Sequence, residues 1–207
     1  MFLEIMKSEI NNLFSYEEAC ISEGLNLVAG VDEAGRGPLA GPVTAVAVIC
    51  DFKKITPRVN DSKKLSDRVR RLLYDELKES LIDYKIVNVS ETVIDEVNIL
   101  NATKMAMSEA VLNLNPKPNA VLVDAVKLNI PFKTIPIIHG DALSYSIASA
   151  SIIAKVSRDD YMLALSKEYP EYGFEIHKGY GTKHHIEMIK KFGACPAHRA
   201  SFIKKFV

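Results

Sequence analysis

Short apolar runs and longer amphipathic stretches alternate along most of the chain. Runs rich in β-branched and small apolar residues predict strands, because buried strands read as nearly continuous apolar segments. The predicted strands cover residues 27–32, 43–51, 84–90, 120–124 and 134–138. The first two are separated by a Gly- and Pro-rich turn, which predicts a hairpin-like adjacent pair. The later strands alternate with helical segments.

Helical periodicity is clearest after Ser66, a residue type that caps helix N-termini. Apolar residues then recur at helical spacing, at Val69, Leu72, Leu73, Leu77 and Leu81. Further helices are predicted over 98–114, over 142–169 and from about residue 182. The first half of the 142–169 helix is rich in small residues and can approach a sheet closely.

The order of these elements predicts an α/β protein with a mixed β-sheet flanked by helices and a small helical C-terminal appendage. Residues 1–24 form an acidic helical lead-in, which we expect to dock through Leu13, Phe14 and Ile21. The main domain is predicted over 25–170 and the appendage over 171–207. No internal repeat or low-complexity tract is present.

The composition is that of a globular protein. Of 207 residues, 48% are apolar and 25% are charged, which excludes disordered, collagen-like and fibrous classes. Lys plus Arg and Asp plus Glu each total 26, so the zero net charge by itself argues against a strongly basic nucleic-acid binder. The charge is uneven, however, because residues 1–31 hold one cation and five anions, whereas residues 155–207 hold ten cations and six anions. The basic end permits a polyanionic partner, and a solvated surface helix is the alternative.

The cysteines and the apolar segments indicate a cytoplasmic protein. Cys20, Cys50 and Cys195 are widely separated and lack metal-ligand spacing, as expected in a reducing compartment. Charged residues interrupt any N-terminal signal-peptide region, and the longest apolar run, 43–50, is too short to span a bilayer. We expect a monomer with no membrane association.

Four acids lie where a predicted strand stops or a helix begins. Asp32 and Glu33 follow one strand, Asp124 follows another, and Asp141 precedes the long helix. Such positions collect ligands in open α/β sheets, although Asp141 could equally cap the helix and Asp124 could start a turn. If the strand ends converge within a few ångströms, the carboxylates would repel one another unless cations lie between them. Oxygen ligands favour Mg²⁺ or Mn²⁺, and a pair of such ions is the usual apparatus of phosphodiester cleavage.

The loop between the first two strands, GRGPLAGP at residues 35–42, is here called the glycine loop. It superficially matches a dinucleotide-binding fingerprint. That fingerprint needs a helix directly after it, whereas prolines bracket this segment and a predicted strand follows. The glycines either make a tight hairpin connection or let the backbone approach a sugar or phosphate closely. Arg36, between two of them, is a candidate phosphate contact.

A series of motifs occurs in order along the chain. They are DEAGRGPLAGP at 32–42, NDSKKL at 60–65, VD at 123–124, GD at 140–141, SIASASIIAKVSRD at 146–159, HKGYGT at 177–182 and HRASF at 198–202. Together they resemble the bacterial ribonuclease HII family from about residue 27 to residue 202. The resemblance implies an RNase H-like fold, with catalysis in residues 25–170 and substrate binding by the 171–207 appendage.

The resemblance also implies a function, that of a type 2 ribonuclease H. Such a metal-dependent endoribonuclease cleaves the RNA strand of RNA-DNA hybrids and nicks duplex DNA on the 5′ side of single embedded ribonucleotides. Its two-metal-ion hydrolysis, with Mg²⁺ or Mn²⁺, leaves a 3′-hydroxyl and a 5′-phosphate. The implied partners are RNA-DNA hybrids and ribonucleotide-containing duplex DNA, and the implied roles are ribonucleotide removal and RNA primer removal.

The family's site residues can be carried over by position. Its metal-binding carboxylates fall on Asp32, Glu33, Asp124 and Asp141. Its loop that reads the ribose 2′-hydroxyl, largely through the backbone, falls on Gly35, Arg36 and Gly37. Its tyrosine that stacks on the neighbouring deoxyribose falls on Tyr180. A close backbone suits this detection, because the 2′-hydroxyl both donates and accepts hydrogen bonds.

Several basic residues are candidate phosphate contacts, or equally solvated surface cations. They are Lys63, Lys64, Lys155, Arg158 and Lys178. Three histidines nearby, His177, His184 and His185, show no zinc-ligand pattern. His184 and His185 are adjacent and therefore cannot share a helix face.

Two other functions remain open. An actin-like or sugar-kinase ATPase domain has a similar start, but it would need a second similar half, and 207 residues without a repeat are too few. A non-catalytic RNA-DNA hybrid-binding module would be expected to lose at least one acid, and all four are present.

Overall fold

The computed structural model describes residues 13–60, 62 and 65–207, which are built around a mixed β-sheet. Its strands are β1 Val28–Ala34, β2 Val43–Cys50, β3 Leu81–Val89, β4 Ala120–Asp124 and β5 Lys133–Ile137. Their order across the sheet is β3-β2-β1-β4-β5. β2 is antiparallel to β1 and to β3, whereas β4 is parallel to β1 and to β5. The prediction of a mixed sheet with an adjacent first pair is confirmed.

Helices cover both faces of this sheet. They are α1 Ser15–Ser22, α2 Asp67–Ser80, α3 Glu91–Val97, α4 Ile99–Leu112, α5 Tyr145–Glu168, α6 Phe174–His177, α7 Lys183–Phe192 and α8 Ala200–Ile203. The predicted starts of α2 and α7 are confirmed, because Ser66 and Thr182 cap them with their side chains. Sequence reasoning missed α3, a short helix capped by Ser90. No helix in the described part of the chain is long and apolar enough to cross a membrane.

The long helix α5 begins later than predicted. A 3₁₀ turn at Gly140–Ala142 precedes it, and Ser144 is its N-cap, whose Oγ accepts from the Ile147 amide at 3.1 Å. The interpretation of Asp141 as the helix cap is therefore wrong. Close approach of the small-residue half of α5 is confirmed, since a Cβ on Gly30 would lie 2.1 Å from the carbonyl carbon of Ser146.

The core consists of two apolar layers on opposite faces of the sheet. One lies under α4 and includes Ala106 and Met107. The other lies under α2 and α5 and includes Leu73 and Ile152. Every residue of β2 is buried, as expected of a strand covered on both faces. The central strands therefore provide a rigid base for side chains at their ends.

The described part of the lead-in docks near the start of α5. Leu13 is buried, and the ring of Phe14 stacks on Tyr145 with 4.9 Å between ring centroids. Ile21 is 40% exposed and therefore more accessible to solvent than Leu13, which is 4% exposed.

A buried acid, Glu17, completes this docking. Its Oε1 accepts from Ser144 Oγ at 2.6 Å and from the Ser146 amide at 2.9 Å. Carboxylate acceptors are stabilising at helix N-termini, where backbone amides lack partners. Glu17 of α1 therefore anchors the beginning of α5, the helix that follows Asp141.

The residues after α5 pack against the glycine loop. Their apolar cluster contains Leu39, Ala40, Met162, Tyr172, Phe174, Ile189, Ala197 and Ile203. Ala40 also forms an isolated antiparallel bridge with His198. The C-terminal residues and the glycine loop thus form one packed unit. The division of the chain at residues 24 and 170 stays a prediction.

Candidate active site

Two of the predicted acids end neighbouring parallel strands. Val31 of β1 is paired with Val123 of β4, so Asp32 and Asp124 come next at the same edge of the sheet. Asp32 is 5% exposed, and its Oδ1 accepts from the Glu33 amide at 2.7 Å. The sheet topology thus brings together acids that lie far apart in sequence.

Glu33 connects this edge to the glycine loop. Its Oε1 lies 3.5 Å from Nη1 of Arg36. The Glu33 side chain is 12% exposed and the Arg36 side chain 43% exposed, so the pair stands at the surface end of the site.

Asp141 reaches the same edge from β5, the neighbour of β4. The amide of Gly140 donates to Oδ1 of Asp124 at 2.7 Å, and Asp141 is the next residue. Ala125 and His139, in the turns beside these acids, adopt the left-handed conformation with φ of 51° and 58°. This conformation is costly for residues other than glycine, and such strain concentrates at functional sites.

The pKa of Asp32 is raised well above its usual range. Burial is the largest cause, and the negative charges of Glu33 and Asp124 add to it. Hydrogen bonds from Ser151 and from the Glu33 amide offset part of the effect. Three of the four acids therefore share one electrostatic site, and a bound divalent cation would oppose both causes of the shift.

The donor chemistry of the four acids fits Mg²⁺ or Mn²⁺, which take carboxylate oxygens as ligands. Among residues 13–60, 62 and 65–207, however, no three acids, histidines or cysteines are gathered closely enough to complete a metal site. The structure places Asp32, Asp124 and Asp141 at one edge of the sheet, with Glu33 next to Asp32. Joint binding of a metal ion by these four acids stays a prediction.

Tyr180 lies against the glycine loop. A Cβ placed on Gly37 would be 3.7 Å from Cε1 of the tyrosine ring, which is part of a residue 45% exposed. Gly35 has φ of 95°, and a Cβ there would lie 2.0 Å from Nε of Arg158, so only glycine fits. The structure thus places Tyr180 beside the loop and the loop beside Glu33.

The sequence that forms this arrangement of acids, glycine loop and tyrosine is similar to those of known proteins. A family model described as Ribonuclease HII matches residues 29–205. The chain belongs to the ribonuclease HII family. Ribonuclease HII of Ruminiclostridium cellulolyticum is 55% identical over 199 residues, which cover 96% of this chain and 78% of the relative. Ribonuclease HII of Caldicellulosiruptor bescii is 52% identical over 201 residues, 97% of this chain and 98% of the relative.

A solved structure agrees with the family assignment. The crystal structure of ribonuclease H2 from Pyrococcus horikoshii OT3 matches with a TM-score of 0.74 and 30% identity, covering 86% of this chain and 96% of that one. The prediction of an RNase H-like fold is confirmed. As a ribonuclease HII, the chain is a type 2 ribonuclease H, an endoribonuclease that acts on RNA-DNA hybrids. Neither an ATPase domain nor a non-catalytic module describes a member of this family.

In this ribonuclease HII, three buried histidines hold the turn that carries Tyr180. His185 Nδ1 lies 2.9 Å from the Tyr180 carbonyl oxygen, and its Nε2 lies 3.0 Å from Nε2 of His198. Because a carbonyl only accepts, His185 Nδ1 donates and its Nε2 accepts from His198. His177 Nδ1 accepts from the Gly179 amide at 3.2 Å.

Burial lowers the pKa of each of these histidines, that of His185 to about 4. Neutral imidazoles are what the hydrogen-bond directions require. As predicted, His184 and His185 point to different surroundings, since His184 is exposed and His185 is buried.

The structure contradicts the prediction that Arg158 contacts a phosphate. The residue is 1% exposed, and its guanidinium donates to the carbonyls of Pro42 at 3.1 Å, Lys178 at 3.0 Å and Ala40 at 3.1 Å. A buried guanidinium with these partners cannot reach the surface. Arg158 instead ties the glycine loop to the turn before Tyr180.

The predicted lysine contacts remain untested. Lys155 Nζ lies 2.6 Å from Oδ1 of Asp159, and Lys178 Nζ donates to the Glu175 carbonyl. Each ammonium has three N–H donors, so it could also donate to a phosphate while keeping that partner. Lys63 and Lys64 lie outside the described residues.

Sequence reasoning missed Arg199. It stands in the HRASF motif, and nothing in its spacing distinguishes it from a surface cation. In the structure it is completely buried and donates to carbonyls of the glycine loop. The burial of a charged residue in a motif could be learned only from the tertiary structure.

Proposed function

We propose that the chain hydrolyses the RNA strand of RNA-DNA hybrids and also nicks duplex DNA on the 5′ side of a single embedded ribonucleotide. The products would carry a 3′-hydroxyl and a 5′-phosphate, and the role would be removal of ribonucleotides and RNA primers from DNA. The observation that carries the proposal is the position of the Tyr180 ring beside Gly37, where an added Cβ would lie 3.7 Å from the ring, in a loop joined to Glu33 through Arg36.

The glycine loop would recognise the ribose. Arg36 and Gly37 are exposed, and their amides donate to no other residue in the described parts of the chain. An amide that a sugar can approach closely can donate to the 2′-hydroxyl, the group that distinguishes RNA from DNA. Gly37 has no side chain to keep the sugar away.

Tyr180 would recognise the deoxyribose beside the ribonucleotide. Its half-exposed ring offers an apolar surface for stacking next to the loop that reads the 2′-hydroxyl. His185 fixes the carbonyl of the same residue, so the ring is held on an ordered turn. The glycine loop and Tyr180, lying side by side, would together recognise an RNA-to-DNA junction.

The residues that would hold Mg²⁺ or Mn²⁺, two ions during cleavage, are Asp32, Glu33, Asp124 and Asp141. Bound there, the ions would supply an activated water and charge stabilisation of the leaving 3′-oxygen. The chain itself orients the ligands. Strands β1 and β4 place Asp32 and Asp124, and the Gly140 amide holds Oδ1 of Asp124.

Phosphate contacts are proposed for Lys63, Lys64, Lys155 and Lys178. Lys178 precedes the Gly179-Tyr180 turn, which would place its ammonium close to a bound strand. Backbone phosphates position a duplex without reading its sequence, so these contacts would add affinity rather than specificity.

Three substrates test the proposal. The wild-type enzyme, with Mg²⁺ or Mn²⁺, is compared on a duplex with one ribonucleotide, a uniform RNA-DNA hybrid and plain DNA. We expect cleavage of the first two and none of the third. Cleavage of the hybrid alone would contradict the nicking activity, and cleavage of plain DNA would contradict recognition of the 2′-hydroxyl.

A further inference from the structure

All the hydrogen-bond donors of the Arg199 side chain are used by carbonyl groups of the glycine loop. Its Nε donates to the Gly41 carbonyl at 2.9 Å. One Nη donates to the carbonyls of Arg36 at 3.0 Å and Pro38 at 2.9 Å, and the other to those of Gly35 at 2.6 Å and Gly41 at 2.7 Å. A guanidinium has five N–H donors, so this loop occupies all of them.

Arg158 supports the loop from a second side. It donates to the carbonyls of Ala40 and Pro42, so the two arginines together contact most carbonyls of the loop. Within the described parts of the chain, every hydrogen bond of both guanidinium groups goes to a backbone carbonyl. Charged side chains are rarely this buried without a carboxylate partner, which indicates a specific use of the donors.

The orientation of these carbonyls determines what faces the substrate. A peptide unit is planar, so its carbonyl and its amide point in opposite directions. The Gly35 and Arg36 carbonyls point inward to Arg199, and they belong to the same peptide units as the amides of Arg36 and Gly37. Those two amides therefore point away from Arg199.

The charge of Arg199 has a second effect on the loop. Burial and the nearby charge of Arg158 lower the pKa of Arg199 to about 10, which still leaves it charged at neutral pH. Two buried cations behind a thin loop of backbone contribute a positive potential at its outer face, which the nearby carboxylates of Glu91 and Asp95 offset in part. That potential favours approach of a phosphate.

We propose that Arg199, assisted by Arg158, is a positioning residue for ribose recognition: it turns the carbonyls of the glycine loop inward and so presents the amides of Arg36 and Gly37 to the 2′-hydroxyl. The inference rests on the proposed function. It assigns part of the selectivity for RNA to a residue that does not touch the substrate.

Lysine is the informative substitution. Arg199→Lys keeps the positive charge but replaces the planar fork by a single ammonium, which cannot reach the same set of carbonyls. The matched control is Arg71→Lys, at a surface arginine that pairs with Asp67 and Asp160. Circular dichroism and thermal unfolding establish that each variant is folded.

The readout is the affinity for two duplexes that differ by one 2′-hydroxyl, measured with Ca²⁺ in place of Mg²⁺, together with cleavage rates in Mg²⁺. We expect Arg199→Lys to reduce the preference for the ribonucleotide duplex by about 10- to 100-fold, the range for a charge-assisted hydrogen-bond set. Its affinity for plain duplex DNA should match that of the wild type and of Arg71→Lys. A purely structural role would lower both affinities together.

Each outcome decides the matter. If the wild type shows no preference, the proposed function fails. If the wild type shows it and a folded Arg199→Lys retains it, this inference alone is overturned. Should Arg199→Lys not fold, Arg158→Lys carries the same test with a smaller expected loss of preference. Failure of both variants to fold would mean that the arginines serve stability, and would also overturn the inference.

Discussion

Asp124 has two roles that one substitution can separate. Its Oδ1 accepts from the Gly140 amide, and its charge contributes to the raised pKa of Asp32. Asp124→Asn keeps an oxygen acceptor for Gly140 but removes the charge. We expect the fold to persist with equal or higher thermal stability, because repulsion among buried acids falls.

Metal-dependent nicking by Asp124→Asn should fall by at least about three orders of magnitude, since a carboxylate ligand is lost. Nicking rates in Mg²⁺ and Mn²⁺ measure this loss. Asp160→Asn, an exposed acid of α5 paired with Arg71, is the control and should cleave normally. Full activity of Asp124→Asn would contradict the assignment of this acid as a metal ligand.

The sequence predicts the role of a residue when local features define its position, and not when contacts with distant residues do. Asp32 and Asp124 were found because an acid at the end of an apolar run is visible in sequence. The burial of Arg158 and Arg199 cannot be predicted from the sequence, because it depends on contacts with residues more than a hundred positions away. Local patterns carry no record of such contacts.

The elements after α5 depend on neutral histidines. The folded-state pKa of His185 is about 4, against about 6.5 in an unfolded chain. The unfolded state therefore binds more protons between these values, so the contribution of His185 to stability is complete above about pH 6.5 and is lost as pH falls towards 4. His177 and His198 act in the same direction.

The contribution of His185 to the pH dependence of stability can be isolated by comparing variants with the wild type. Asp32 and Glu17 have raised pKa values and contribute pH dependence of the opposite sign, so absolute stabilities alone are not informative. We expect His185→Gln to lose less stability than the wild type between pH 6.5 and 4.5 in denaturant unfolding. His184→Gln, at an exposed neighbour, should behave like the wild type. An unchanged pH profile in His185→Gln would contradict the neutral histidine cluster.

Elements were predicted best where one local signal dominated. Ser66 and Thr182 cap their helices as the sequence indicated. Asp141 is a plausible cap by residue type, but Ser144 caps the helix by accepting from the Ile147 amide, and Glu17 accepts from both the Ser144 hydroxyl and the Ser146 amide. The contact with Glu17 joins residues more than 120 positions apart, which no local pattern contains.

Over the whole molecule, the zero net charge arises because an acidic N-terminal segment balances a basic C-terminal segment. Five anions lie before residue 32, and ten cations lie after residue 154. Residues 1–12 of the lead-in lie outside the described residues, and Phe14 and Glu17 contact the start of α5. We propose that residues 25–170 carry catalysis and that residues 171–207 bind the nucleic acid. Packing of the C-terminal cluster on the glycine loop supports a joint role of the last two parts.

The chemistry of the cut ends tests the central claim most directly. We propose that carboxylate-bound metal ions direct water to the phosphate on the 5′ side of a lone ribonucleotide and that the 2′-hydroxyl serves only for recognition. Mass spectrometry of the two fragments should then find a 3′-hydroxyl on one and a 5′-phosphate on the other. A cut on the 3′ side with a 2′,3′-cyclic phosphate would make the 2′-hydroxyl the nucleophile, and would contradict this account.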